Sequence, residues 1–75
     1  MSPHSNQYTK TKEGYIVAIE EELNINKNLP KAFYRLDIDS ACDLYNATIV
    51  SGKIGFIEKS NEFGLSYLLQ EVFDE

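Results

Sequence analysis

Two aspartates in the middle of the chain, Asp37 and Asp39, have the spacing with which a calcium-binding loop begins. The residues that follow do not complete such a loop. Ala41 takes the place of the third oxygen ligand, Cys42 replaces the required glycine, and Thr48 stands where a bidentate glutamate is needed. We therefore interpret the two aspartates as solvated carboxylates in a turn, and the sequence predicts no metal site.

Cys42 is the one cysteine of the chain, so it cannot form an internal disulfide. As a nucleophile it would need a base and an electropositive setting. Its neighbour Asp43 disfavours the thiolate, and the one histidine, His4, lies in a polar N-terminal stretch. We expect a packed thiol in a reducing, cytoplasmic environment, with its reactivity left open. The chain also lacks a set of zinc ligands.

Glu20, Glu21 and Glu22 are consecutive, so their side chains point in different directions and do not converge on one substrate atom. The four glycines are scattered and form no phosphate-binding pattern. No nucleophile is paired with a base anywhere in the sequence. We therefore predict no catalytic residue, no cofactor and no enzymatic activity.

The chain has 75 residues and a net charge of −5. This length predicts a single domain at 13–75, preceded by a polar tail at 1–12. An acidic surface repels phosphate, so direct binding to nucleic acid or an anionic membrane is not expected. The sequence also contains no apolar run of about 18 residues that could span a membrane. The charge instead favours a basic surface on another protein, including a nucleic-acid-binding one.

Hydrophobic patterning predicts five elements, namely strands near 14–20, 31–38 and 53–58, a helix near 41–51, and a C-terminal amphipathic helix near 62–73. The fold class predicted from them is α+β, with a small, mostly antiparallel three-stranded sheet. Alternation of apolar and polar residues gives 31–38 the strongest strand pattern. The β-branched residues of 14–20 favour a strand there, although Ile16, Ile19 and Leu23 also fit helical spacing.

The stretch 41–51 allows two interpretations. Ser40 as N-cap and Gly52 as the residue after the helix favour a helix. The β-branched run Thr48–Val50 before Ser51-Gly52 instead allows a β-hairpin. The hairpin leads to the alternative fold, a mostly-β small barrel closed by the C-terminal helix.

The spacing of apolar residues in the last predicted helix indicates a stripe that faces the core. Phe63 and Tyr67 would then face outward. Phe33 projects from the polar face of its predicted strand. Exposed aromatics among acids are typical of a protein interface. The predicted partner-binding residues are Phe33, Phe63, Tyr67, Glu20, Glu21, Glu22, Asp37, Asp39 and Glu62, with Asp74 or Glu75 as further acids.

The profile of size, charge and missing catalytic groups predicts a non-enzymatic protein-binding module. Inhibitors, antitoxins, immunity proteins and phage-encoded antagonists share this profile, and they act by occluding a basic or functional surface of a partner. The alternative is a homo-oligomeric structural or regulatory subunit, with a homodimer as the simplest form.

Overall fold

Every regular element in the described part of the chain, residues 10–26 and 28–73, is helical in the computed structural model. The elements are α1 (Lys12–Leu23), a 3-10 helix (Lys31–Arg35), α2 (Ile38–Glu62), a 3-10 turn (Ser66–Leu68) and α3 (Leu69–Val72). The described residues contain no strand, so both the predicted α+β fold and the β-barrel alternative are wrong. Most of the predicted tail 1–12, together with Asp74 and Glu75, lies outside the described residues.

Helix α1 replaces the strand predicted at 14–20. Thr11 caps its N-terminus by accepting a hydrogen bond from the Gly14 N–H at 3.1 Å. Asn24 ends it in the left-handed conformation, with φ of 56°, which closes a Schellman motif through the Ile25 N–H and the Glu20 carbonyl. Burial of Ile16 and Ile19 against the core outweighs the few tenths of a kcal/mol that each β-branched residue costs in a helix.

The segment 31–38, predicted as the clearest strand, is a 3-10 helix followed by the start of α2. Pro30 precedes it in an extended conformation and leads into the helix. Phe33 is completely buried, whereas the alternating pattern had placed it on the polar face. The alternation of apolar and polar residues does not reflect a strand here. The segment forms a short helix, and its one buried side chain is Phe33, which the pattern had assigned to the polar face.

Helix α2 confirms the helix predicted at 41–51 and rules out the hairpin. It begins earlier than predicted, with Asp37 rather than Ser40 in the extended N-cap conformation. Interaction with the Ser40 side chain lowers the pKa of the Asp37 carboxyl below its ordinary value. Gly52 interrupts the helix with φ of 61° and ψ of −140°. We call residues 38–51 the first arm of α2 and residues 53–62 the second arm.

The second arm replaces the strand predicted at 53–58 and folds back against the first. Gly55 is buried there, and a side chain at this position would collide with the backbone carbonyl of Ala47, whose carbon would lie 2.8 Å from the added Cβ. The Ser51 Cβ would lie 2.9 Å away. The two helical arms can approach this closely because position 55 is glycine, which has no side chain.

The C-terminal segment is less regular than the helix predicted at 62–73. Helix α2 ends at Glu62, and the chain then turns at Gly64, which has φ of 75°. A 3-10 turn and the short helix α3 follow. The predicted inward stripe is nevertheless correct, because Leu68 and Val72 are buried and Leu65, Leu69 and Phe73 pack against the core.

The core is centred on Phe56 in the second arm of α2. Its ring stacks on Phe33 at 5.5 Å between centroids and meets the edge of Phe73 at 5.8 Å. Ile16 and Leu44 belong to the same buried cluster. One aromatic side chain thus joins the 3-10 helix and the C-terminal segment, within a core that α1 and the first arm complete.

Candidate partner-binding surface

The three aromatic residues predicted as partner anchors lie in different environments. Phe33 is completely buried against Phe56, so the exposure on which its predicted role rested is absent. Phe63 is half-buried and packs against the core, which corrects its predicted outward orientation. Tyr67 is 70% exposed, as predicted. Of the three, Tyr67 alone presents most of its ring to solvent.

Glu20 has a structural role that the sequence did not indicate. Its Oε2 atom accepts a hydrogen bond from the Leu29 backbone N–H at 2.8 Å and another from the Tyr34 hydroxyl at 3.2 Å. One carboxylate therefore joins α1 to the loop before the 3-10 helix and to the 3-10 helix itself. Glu21 and Glu22 are exposed on α1, where their carboxylates remain accessible.

The remaining predicted acids lie on α2. Asp37 and Asp39 are exposed at the start of the first arm. Glu62 is exposed at the end of the second arm, where its Oε1 lies 3.1 Å from the Lys59 Nζ. An exposed ion pair between residues three apart contributes little to stability. Asp37, Asp39 and Glu62 therefore keep their carboxylates at the surface.

An exposed aliphatic surface at the Gly52 bend was missed by the sequence reasoning. Val50 is 82% exposed, Ile54 is 66% exposed and Ile49 is 48% exposed. They lie within six residues of one another on both sides of Gly52. We call these three residues the bend surface. A run of β-branched residues beside a glycine was the available signal, but it also fitted the ends of two strands.

A cleft of about 500 Å³ runs between the two arms of α2 and includes Val50 in its lining. Ala47 and Gly55, the small residues at the close approach, are part of its lining. Three acidic residues, Asp43, Glu58 and Glu62, also line it, against the single base Lys59. The bend surface is thus continuous with an acidic cleft.

Comparisons with protein-family models, with curated proteins and with solved structures found no match to this chain. The chemistry of its surface is therefore the basis on which its function is inferred.

Cys42 is half-buried, and its Sγ accepts a hydrogen bond from the Asn46 side-chain amide at 3.6 Å. An amide cannot serve as a general base for a thiol. Among residues 10–26 and 28–73, no three His, Cys, Asp or Glu side chains come together as a metal site would require. No helix in that part of the chain has the length and apolar content needed to cross a membrane.

Lys53 fixes the start of the second arm. Its Nζ atom lies 4.4 Å from the centre of the Phe73 ring, a cation–π contact between the arm and the C-terminal segment. This contact lies directly beside the bend surface in sequence, because Lys53 stands between Gly52 and Ile54. The bend surface is therefore presented on a braced helical end and not on a loop.

Proposed function

We propose that this protein is a small, acidic, non-enzymatic protein-binding module that contacts its partner through the bend surface. It acts as an inhibitor or antagonist, by covering a basic or functional surface of the partner. The supporting observation is the exposure of Ile49, Val50 and Ile54 at the end of a helical hairpin. Exposed apolar patches on small proteins commonly mark interaction sites.

The apolar side chains supply the affinity in this proposal. Burying a branched aliphatic side chain contributes roughly 1.5–3 kcal/mol when it passes from full exposure to full burial. Three such side chains supply several kcal/mol before the costs of association are counted. Tyr67 is a second anchor, because aromatic residues are enriched at the energetic centres of interfaces.

In this proposal the acidic residues orient the partner and raise the rate of association. Asp43, Glu58 and Glu62 line the cleft next to Val50, and the whole chain carries a charge of −5. Complementary charge accelerates association with a basic partner and excludes acidic ones. Glu21, Glu22, Asp37 and Asp39 extend this negative surface in the proposal. A partner whose own ligand is a nucleic acid has the required basic character.

The cytoplasm is the compartment we propose. A single cysteine with no disulfide suits a reducing environment. Disulfides are a common staple of small secreted domains, and this chain of 75 residues cannot form an internal one.

The test is affinity capture with the tagged full chain and two variants. The double substitution Val50→Gln and Ile54→Gln should reduce the recovered partner at least about tenfold, which corresponds to roughly 1.4 kcal/mol. Val17→Gln is the control, because Val17 is a β-branched aliphatic residue that is 45% exposed on α1, away from the bend. Undiminished capture by the double variant, with an unchanged circular dichroism spectrum, would refute the role of the bend surface.

A homo-oligomeric subunit is the alternative, since a second copy could cover the same aliphatic surface. Light scattering across a range of protein concentrations separates the two. A monomer at all concentrations supports a module that awaits a different protein. A mass that rises with concentration, and that falls back in the Val50→Gln and Ile54→Gln variant, supports the homo-oligomer.

A further inference from the structure

A second cavity, of about 580 Å³, lies beside the 3-10 helix and shares no residue with the bend surface. Its lining consists of Asn28, Leu29, Pro30, Lys31, Tyr34 and Arg35. Its volume is within the range of roughly 300–1,000 Å³ typical of small-ligand sites. The proposed function does not use this cavity.

The walls of the cavity are held in place by Glu20. Its carboxylate accepts hydrogen bonds from the backbone N–H of Leu29 and from the hydroxyl of Tyr34, which both belong to the lining. Pro30 restricts the backbone between them. Phe33 anchors the 3-10 helix in the core. A cavity fixed in this way loses little conformational freedom when a ligand enters.

Two cations stand at the cavity without an acidic partner. Lys31 and Arg35 are both exposed, and within the described residues neither forms an ion pair, in contrast to Lys59. Elsewhere in the described residues, Lys59 pairs with Glu62, and Lys10 and Lys53 lie over aromatic rings. Lys31 and Arg35 instead lie beside an apolar wall formed by Leu29 and Pro30. Unpaired positive charge next to an apolar wall matches a ligand with one anionic and one apolar end.

We propose that this cavity binds a carboxylate attached to an apolar or aromatic group. Arg35 presents a guanidinium that can hold a carboxylate through two parallel hydrogen bonds, and Lys31 adds a second charge. Leu29, Pro30 and the Tyr34 ring contact the apolar part. The net charge of −5 disfavours polyphosphates and nucleic acids, which carry many charges, more strongly than a single carboxylate.

The test uses 3-phenylpropionate as the probe, with the full chain labelled for two-dimensional NMR. The carboxylate should shift the amide signals of residues 28–35 saturably, with an affinity on the order of 1 mM for so small a ligand. The uncharged 3-phenylpropionamide should shift them at least fivefold less at the same concentration. Equal effects of acid and amide, or shifts confined to other residues, would overturn the proposal.

Substitutions separate the two cations from general charge effects. Arg35→Gln and Lys31→Gln should each weaken binding of 3-phenylpropionate at least threefold. Lys12→Gln removes the same charge from the start of α1, outside the cavity lining, and should leave the affinity unchanged. If all three variants weaken binding equally, the ligand responds to net charge and the cavity is not its site.

The carboxylate could belong to a free small acid or to a peptide side chain. A capped Leu-Asp-Leu peptide, compared with its Leu-Asn-Leu counterpart, distinguishes these sources. Tighter binding of the aspartyl peptide than of 3-phenylpropionate assigns the cavity to an acidic side chain of a protein, and the reverse order assigns it to a small acid. The bend-surface variants leave these results unchanged, so this proposal and the proposed function fail separately.

Discussion

Glu20 shows how one side chain can change its assignment once the fold is known. In the sequence it is one of three consecutive glutamates and a candidate for contact with a partner. In the structure one of its oxygens accepts hydrogen bonds from residues nine and fourteen positions away. Hydrogen bonds to a charged acceptor contribute about 1.5–3 kcal/mol each, so Glu20 is a structural residue first.

The hydrogen bond between Glu20 and Tyr34 leads to a prediction about stability at high pH. Burial and then the nearby Glu20 carboxylate raise the pKa of Tyr34 above its ordinary value of 10.0. The neutral hydroxyl is therefore favoured in the folded state. The stability that the neutral Tyr34 hydroxyl contributes is fully present below the pKa that Tyr34 has in the unfolded chain. It is lost as the pH rises through the pKa of Tyr34 in the folded protein.

The measurement is the free energy of unfolding in urea for the wild type and for Tyr34→Phe. The difference between them should be constant from about pH 8 to 10 and should fall above pH 10, because only the wild type loses the favoured neutral hydroxyl. Glu20→Gln should shrink the change, since it removes one of its causes. A difference that stays constant or grows above pH 10 would contradict the assignment.

At the scale of elements, Gly52 determines the architecture, because it divides α2 into two arms that fold on each other. Its φ of 61° and ψ of −140° are the mirror image of an extended conformation that ordinary residues favour. A side chain there would meet no atom within 4 Å. The requirement for glycine at this position is therefore conformational and not steric.

Chemical synthesis allows this requirement to be tested directly. Gly52→Ala should destabilise the fold by about 1–3 kcal/mol, because an L-residue is strained at this φ and ψ. Replacement of Gly52 by D-alanine should instead leave stability unchanged or raise it by about 0.4–1 kcal/mol, since it restricts the unfolded chain. Thermal and urea unfolding measure both changes. Equal destabilisation by the two alanines would point to a steric cause.

The sequence predicts some of these elements and not others for identifiable reasons. Helical spacing and Gly52 correctly predict the first arm and its end, although its N-cap is Asp37 and not the predicted Ser40. Helix α1 was assigned to a strand because its isoleucines and valine favour extended structure locally, while the core contacts that decide the matter are distant in sequence. The same limit applies to the bend surface, whose exposure depends on where the second arm packs.

At the scale of the whole molecule, the described residues share one core, and Phe56 lies at its centre. Phe56 meets Phe33 from the 3-10 helix and Phe73 from the C-terminal segment. Among the described aromatic residues, Phe33, Phe56 and Phe73 thus form one packed cluster, whereas Tyr67 is exposed. The sequence contains nine aromatic residues, but it does not show which of them are buried, because the predicted patterns placed Phe33 and Phe63 on outward faces.

This division predicts three distinct losses of stability on truncation to alanine. A domain of 75 residues has a total stability of roughly 4–11 kcal/mol. Phe56→Ala should cost about 3–5 kcal/mol, enough to unfold much of the population, whereas Tyr67→Ala should stay within about 0.5 kcal/mol. Phe63→Ala should fall between them, because its ring is half-buried.

Urea unfolding followed by circular dichroism gives the three free energies, and hydrogen exchange shows how the loss is distributed. Because Phe56 joins several elements, its truncation should lower protection in α1, in α2 and in the C-terminal segment together. Tyr67→Ala should leave protection unchanged while weakening capture of a partner. A cost for Tyr67→Ala equal to that for Phe56→Ala would mean that the C-terminal segment packs with its other face inward, and Tyr67 would then be no partner anchor.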